Sequence, residues 1–439
     1  MMSPELIADP YRGYGRLREQ APVVRGVLMG DAPAWFVTRA EEVRTVLSDP
    51  RFVNNPASVP GAPVMDVREL YIEKYGLPRE YARYMADSIL AMDPPDHARL
   101  RKLVSRAFTV RRVHELRPRV EAITKGLLDE LAQSGDARSA DAALGVDARS
   151  ADAALGADAR SADAALGAGA VDLIERFAYP LPITVICELV GIPESDRPAW
   201  RQWGRDLTSM SPKLMPTAVR EMVEGVRALV DARRAEPESH DDLLDGLIRV
   251  NDEHDGRLSD TELITFVLTL VIAGHETTAH LIGNGVVALL THPDQLALLR
   301  EHPEHWPTAV HELMRWCGPV LVTKPRYAAT DVELAGVHIR AGEVVQPVLV
   351  SANYDPRRYP DPDRLDVTRQ PEGHGEGHLG FGHGPHYCLG AALARQEAEV
   401  ALRALFERFG DMALAVDPDR LTWQPTPGAR RLDTLPVLL

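Results

Sequence analysis

The sequence predicts a mainly α-helical fold with small β-sheets, an α+β architecture, and three observations carry that prediction. From Pro95 to Phe409 apolar residues recur at the three- and four-residue spacing of helices that bury one face. Strand-like runs are short and confined to residues 23–29, 35–38, 332–339, 343–350 and the C-terminal region. One stretch, residues 263–290, is apolar on nearly every side, as a central buried helix requires.

Taken in order, residues 10–20 read as a helix, followed by two short strands (23–29 and 35–38) around a turn at 30–33. Residues 40–47 are helical, and 51–84 form a long irregular segment bearing Pro and Gly, of a size more often functional than neutral. Pro95 opens a helix whose Leu100, Leu103, Val104 and Phe108 share one face. Helices over 110–133, 172–190, 196–210 and 218–234 continue the pattern. Between two of them lies a repeat: 136–146, 147–157 and 158–168 each begin Asp-Ala-Arg-Ser-Ala-Asp-Ala-Ala-Leu-Gly. One Leu and one Gly per copy leave too little apolar face to bury. A recently duplicated, solvent-exposed insert explains the near-identity better than a structural array.

Composition excludes several functions. The 439 residues are 45% hydrophobic and 26% charged, enough for a large core in an ordinary water-soluble chain. No composition break divides residues 1–439, so one domain with an insert at 136–168 is expected. No apolar run approaches the ~18 residues of a membrane span, and the N-terminus lacks a secretory pattern, so neither membrane nor export is expected. Cys187, Cys317 and Cys388, an odd number, make no disulfide framework and suit a reducing cytoplasm. The net charge of −15 argues against nucleic acid as a partner. Against that background Arg99, Arg101, Lys102, Arg106, Arg111 and Arg112 form a basic stretch, a pattern that is usually a solvated helix face.

Cys388 lies in Phe381-Gly-His-Gly-Pro-His-Tyr-Cys-Leu-Gly390, followed by an Ala/Leu-rich run, 391–405, that reads as a helix. A thiol at a helix N-terminus is biased toward thiolate by the unpaired N–H groups. Gly382 and Gly384 permit tight turns that point backbone amides at the sulfur. A thiolate held this way suits an iron porphyrin as an axial ligand. Two other readings remain open here: a small buried hydrophobe, or a zinc site in which His374, His378, His383 and His386 join Cys388. A dinucleotide loop is excluded, because Tyr387 stands where its third glycine belongs.

Further segments carry chemistry. Ala273-Gly-His-Glu-Thr-Thr278 interrupts the most apolar helix with residues unfavourable in a helix interior. A threonine hydroxyl there can bond the preceding turn, and Glu276 is costly unless paired or functional. Together they read either as a proton-delivery groove, with Thr277 positioning water or oxygen and Glu276 relaying protons, or as a Gly/Thr kink with an exposed Glu. Glu312 and Arg315, at i and i+3, share a helix face and can pair bidentately. His97 and Arg101, at i and i+4, together with Arg326 and His386 offer cationic donors suited to two carboxylates; each is equally compatible with a surface charge.

Jointly these motifs resemble the cytochrome P450 monooxygenases of the soluble bacterial type, over nearly the whole chain and in the expected order. Phe381, Gly384, Cys388 and Gly390 meet Phe-x-x-Gly-x-x-x-Cys-x-Gly; Ala273, Gly274, Glu276, Thr277 and Thr278 meet the oxygen-activation signature; Glu312 and Arg315 meet Glu-x-x-Arg. The resemblance implies a single large helical domain with a minor β-rich region. It implies haem b ligated through iron by Cys388, with His97, Arg101, Arg326 and His386 at its propionates and Ala273, Phe381, Gly382 and Gly390 around it. Glu276 and Thr277 become the catalytic pair, and Glu312–Arg315 a buried structural pair completed by an arginine after Pro362, with Arg364 nearest.

The partners implied are O2, a small apolar organic substrate and an acidic ferredoxin that takes electrons from NAD(P)H through a reductase. The ferredoxin docks near Arg99, Lys102, Arg106, Arg111 and Arg112 on a monomeric enzyme. The substrate wall is expected from residues 53–92, 195–222, 268–277 and 320–323, with Met65, Met85, Met92, Met210, Met215 and Met222 forming an adaptable surface. Macrolides, other polyketides and terpenoids are the implied substrates, by hydroxylation or epoxidation. A peroxide-using enzyme or a haem sensor is the alternative within haem-thiolate proteins. Two departures stand out: the repeat insert, and Tyr354 where bacterial relatives commonly carry arginine.

Overall fold

The structure is a computed structural model; the residues described are 4–28, 31–61, 64, 66–144, 169–209, 211–235, 242–252, 258–370, 376–426 and 428–439. The central helix, Asp260–Thr291, begins at a reciprocal capping box. The Ser259 hydroxyl accepts the Glu262 N–H at 3.2 Å, and the Glu262 carboxylate accepts the Ser259 N–H at 2.8 Å. Around it pack Pro180–Val190, Met215–Ala235, Trp306–Cys317 and Ala391–Arg408, which bury apolar faces against it in one large core. Among the described residues this helix alone is long and apolar enough to cross a membrane. Of its most apolar window, 67% is buried inside the protein. Its apolarity thus exceeds the sequence expectation, and its helical neighbours account for it.

The described strands are β1 (Val23–Val27), β2 (Pro33–Val37), β3 (Phe52–Val53), β4 (Val171–Asp172), β5 (Arg326–Ala328), β6 (Val332–Leu334), β7 (Val337–Ile339), β8 (Val344–Pro347), β9 (Ala413–Leu414) and β10 (Pro436–Leu438). Five form a sheet in the order β1-β2-β8-β5-β3, with β2 and β8 parallel and the other neighbours antiparallel. Val23 faces Val37 and Val27 faces Pro33 across the first pair. β4, β10 and β9 form a second sheet, and β6 and β7 a hairpin. The mainly helical class with small sheets is as the sequence predicts.

Several boundaries differ for identifiable reasons. The segment 51–84 is not irregular throughout: it holds helices Val67–Tyr75 and Arg79–Ala86. Asp66 caps the first by accepting the Arg68 N–H at 2.9 Å, and Gly76, at φ 64°, ends it. Tyr75, Leu77, Ala82 and Tyr84 are buried in the main core, which is what holds this stretch in place. The stretch 343–350 is strand only to Pro347 and then turns into helix Leu349–Asn353. Residues 172–190 divide into β4, a π-helical turn Ile174–Ala178 and helix Pro180–Val190, because Pro180 and Pro182 lack the N–H that would continue the turn before them. The helix expected at 110–133 spans Val110–Leu144 and enters the first repeat copy; the rest of the insert, 145–168, lies outside the described residues.

Candidate active site

The Cys388 loop is built by backbone geometry. Gly382 and Gly384 take φ of 74° and 70°, and a Cβ on Gly384 would sit 2.5 Å from the Leu47 carbonyl oxygen, so both positions need glycine. The Cys388 N–H donates to the Phe381 carbonyl at 3.0 Å, and helix Ala391–Arg408 starts three residues later. Cys388 keeps accessible surface although protein atoms enclose it on nearly every side; the two observations agree because that surface opens into an internal cavity of about 350 Å³. Burial raises the pKa of the thiol, while the Gly390 N–H and the Arg101 guanidinium pull it down less strongly. The expected bias toward thiolate is therefore corrected: for the sulfur by itself, desolvation outweighs the helix N-terminus. A cation bound to the sulfur would reverse that balance.

Thr277, Ala273 and Gly274 line the cavity from the central helix, as Cys388 does from its loop. The Thr277 hydroxyl donates to the Ala273 carbonyl at 2.8 Å and Thr278 to Gly274 at 3.2 Å, while the helix runs on unbroken. His97, Arg101, Arg326 and His386 also border the cavity, together with Phe381, Gly382 and Gly390. The His97 and His386 rings lie 3.9 Å apart at 33°, and His386 Nε2 is 2.8 Å from Asn54 Nδ2. Arg101 donates to the Tyr387 carbonyl at 2.8 Å, and Arg326 donates to Asn54 Oδ1 while its buried Nε has no partner.

Burial pushes Arg326 down to about 10 and His386 down to about 3, and lowers His97. Among the described residues no carboxylate pairs directly with Arg101 or Arg326. Asp93, whose charge reaches Arg326, is engaged by the Asn54 and Asn55 N–H groups at 2.7 and 2.9 Å and by Ser58 at 2.9 Å. Buried cations with unfilled donors beside an apolar cavity and a sulfur are a donor set that a porphyrin with two carboxylates satisfies.

Glu276 departs from the arrangement expected for it. It is 5% exposed, lies 2.6 Å from Arg431 Nη1 and 3.9 Å from His280 Nε2, and does not border the cavity. An acid that sequence reasoning missed does border it. Glu397, on the helix after Cys388, is 2% exposed with Oε2 unpartnered, and burial raises its pKa well above the carboxylate range. A Glu in an Ala/Leu-rich helix is an ordinary helix former, and only its inward facing sets it apart.

Glu312 and Arg315 form the expected buried bidentate pair, at 2.7 Å for each bond. The completing arginine is not Arg364, whose carbonyl accepts from Arg315 at 3.3 Å. It is Arg369, whose Nε donates to Glu312 at 3.1 Å. Tyr354 donates to the Trp316 carbonyl at 2.5 Å, and the Arg315 guanidinium lies 5.4 Å from its ring centre. The zinc reading does not assemble among the described residues. His383 and His386 border the cavity, His374 lies outside the described residues, and the group with ligand-like spacing is His311, Glu376 and His378, without Cys388. In that group His378 Nδ1 accepts the Gly380 N–H at 3.1 Å, so a neutral ring carries its proton on Nε2, facing His311 at 3.4 Å. That is a hydrogen bond rather than a vacant ligand pair.

The basic face is also reduced: Arg99 pairs with Glu262 and Arg111 with Glu115, while Lys102 is exposed and Arg112 half-buried; the side chain of Arg106 lies outside the described residues. Among the described residues the wall includes Asn54, Ile89, Leu90, Val320 and Thr323 but none from 195–222. Met215 and Met222 are fully buried in the core and Met85 and Met92 pack against it, because their helices present those faces to other helices; Met65 and Met210 lie outside the described residues. The methionine bordering the cavity is Met314.

A helical protein with a glycine-looped cysteine sulfur and buried cations around one apolar cavity is of the haem-thiolate class. The chain belongs to the cytochrome P450 family: the model of the family described as Cytochrome P450 matches residues 196–305 and 306–420. It is 43% identical over 435 residues to 6-deoxyerythronolide B hydroxylase of Saccharopolyspora erythraea, covering 98% of this chain and 96% of that protein. It is 39% identical to cytochrome P450 monooxygenase PikC of Streptomyces venezuelae, covering 99% and 92%. In structure it is similar to the Bacillus subtilis 168 bacillaene polyketide synthase cytochrome P450 PksS, with TM-score 0.81, 33% identity and coverage of 100% and 98%. The protein is thus a cytochrome P450 monooxygenase with haem as its cofactor.

Proposed function

We propose that this enzyme inserts one oxygen atom from O2 into an apolar organic substrate of secondary metabolism, by hydroxylation or epoxidation. A macrolide or other polyketide is favoured over a terpenoid, since polyketide synthesis is what PksS is named for. The observation that carries the reading is that Cys388, Thr277, His97, Arg101, Arg326 and His386 all border one largely apolar cavity. Haem b, when bound, supplies the redox chemistry that activates O2. Cys388 would hold its iron through sulfur; Arg101 and Arg326 as cations, with His97 and His386 as neutral donors, would hold its carboxylates; Ala273, Phe381, Gly382 and Gly390 would wall it.

The Thr277 hydroxyl holds a proton at the cavity surface, its donor direction set by the Ala273 carbonyl. Glu397, whose pKa burial raises, and Glu276, held by Arg431, are the carboxyl groups that exchange protons with it. Electrons come from NAD(P)H by way of a reductase and a ferredoxin that docks on the face bearing Lys102, Arg111 and Arg112, in the cytoplasm and on a monomer. Two measurements test the reading. The reduced protein under carbon monoxide should show a haem-thiolate spectrum that Cys388→Ala abolishes. Polyketide ligands should then perturb the haem spectrum more strongly than terpenoids of similar size. Binding of terpenoids alone would overturn the substrate assignment, and an unchanged spectrum in Cys388→Ala would overturn the ligand assignment.

A further inference from the structure

Lys324 lies on the cavity wall and has no task in the reading above. After helix Trp306–Cys317 the chain follows the cavity past Val320 and Thr323 and enters β5 at Arg326, all of which border it. The backbone beside Lys324 is pinned: Gln346 Nε2 donates to the Thr323 carbonyl at 2.8 Å, and the Thr323 N–H donates to Pro347 at 3.3 Å. Like Cys388, Lys324 keeps accessible surface although many protein atoms surround it, and it borders the cavity.

Among the described residues its ammonium has no hydrogen-bonding or ionic partner. The charged neighbour acting on it is the Arg68 guanidinium, itself paired with Asp66 at 2.7 Å. Burial and then Arg68 push its pKa down to about 8, which leaves it mostly protonated at neutral pH.

We propose that Lys324 forms a carboxylate-binding subsite and that the substrate is an apolar organic acid whose anionic group pairs with it. The proposal rests on the cavity being the substrate space. A neutral apolar molecule filling that space would strip water from an ammonium with no counter-ion, which disfavours its binding. A carboxylate removes that penalty and adds a charge-assisted hydrogen bond, so the same residue attracts acids and rejects their neutral analogues. The rival role is a further contact to the haem carboxylates, since in an extended chain Lys324 and Arg326, two apart, point to one side. Arg101, Arg326, His97 and His386 already provide donors for those groups.

The test uses the haem-loaded enzyme at pH 7, titrated by calorimetry with tetradecanoate and with its methyl ester. The acid should bind the wild type about tenfold or more tightly than the ester, as expected of a charge-assisted contact. Lys324→Met and Lys324→Gln should abolish the preference by weakening the acid alone, and Lys324→Arg should keep it. Equal binding of acid and ester by the wild type, or a preference that survives Lys324→Met, overturns the proposal and leaves the apolar substrate site standing. Loss of haem from Lys324→Met, with acid and ester weakened alike, assigns the lysine to the haem carboxylates and likewise overturns it. Failure of both probes to bind the wild type overturns the apolar substrate site together with the proposal.

Discussion

Glu276 and Thr277 are neighbours in sequence, yet the Glu276 carboxylate lies 2.6 Å from Arg431 while Thr277 borders the cavity. One residue along an α-helix rotates a side chain by roughly 100°, and here that step turns Glu276 toward Arg431 while Thr277 stays on the cavity side. In the relay proposed above, Glu276 would first have to take up a proton in place of its pairing with Arg431. Arg431 would then govern how readily Glu276 exchanges protons.

Removing Arg431 should expose that coupling. Arg431→Ala leaves a buried carboxylate without its cation and should lower stability by about 3 kcal/mol, the low end for a broken buried pair, since Arg431 retains some exposure. Glu276→Gln combined with Arg431→Ala should recover at least half of the loss. Chemical denaturation of the three variants measures both effects; an unaltered midpoint in Arg431→Ala would show that the pair contributes nothing.

Thr277→Ala removes the cavity hydroxyl and no packing that the helix depends on. Haem content and fold should be retained while product formed per O2 consumed falls about tenfold or more, a modest share of what positioned proton transfer supplies. Thr277→Ser should restore most of the coupling. Simultaneous product and oxygen assays decide, and full coupling in Thr277→Ala would refute the role.

The Glu312 site distinguishes two arginines. Arg369→Ala removes a direct contact to a buried carboxylate and should cost about 2–3 kcal/mol, less than full disruption because Arg315 remains. Arg364→Ala, whose contact to Arg315 uses only its backbone carbonyl, should stay within about 0.5 kcal/mol. Thermal unfolding of the two variants side by side checks the order, and equal losses would return the role to Arg364.

Glu397 predicts a pH dependence. Its folded-state pKa is raised by burial, so between the unfolded and folded values the folded protein binds more protons than the unfolded chain. Stability from this group is thus complete below about pH 4 and is lost as pH rises through that window, by up to about 1.4 kcal/mol per unit. Glu397→Gln cannot ionise, and its stability relative to wild type should climb as pH rises above the ordinary carboxylate range. Denaturation at several pH values tests this; a constant difference would mean that Glu397 is ionised in the folded protein.

Much of the site could be read from the sequence because its signals are local. The Cys388 loop needs glycine where φ is positive, and the helix after it follows within a few residues. The Thr277 and Thr278 hydroxyls bond the turn before them, and Glu312 meets Arg315 one turn on. Each of these is set by backbone geometry within a span of about ten residues, which residue identity dictates directly.

By itself the sequence determined the helical class, the cysteine loop, the back-bonded threonines and the Glu312–Arg315 pair. Only the tertiary structure decided which arginine completes that pair, that Glu276 turns to Arg431, that Glu397 and Lys324 border the cavity, and that Met85, Met92, Met215 and Met222 pack in the core. Those outcomes depend on which faces of distant segments meet. A charged side chain is costly or cheap according to what encloses it, and spacing along the chain does not report that enclosure.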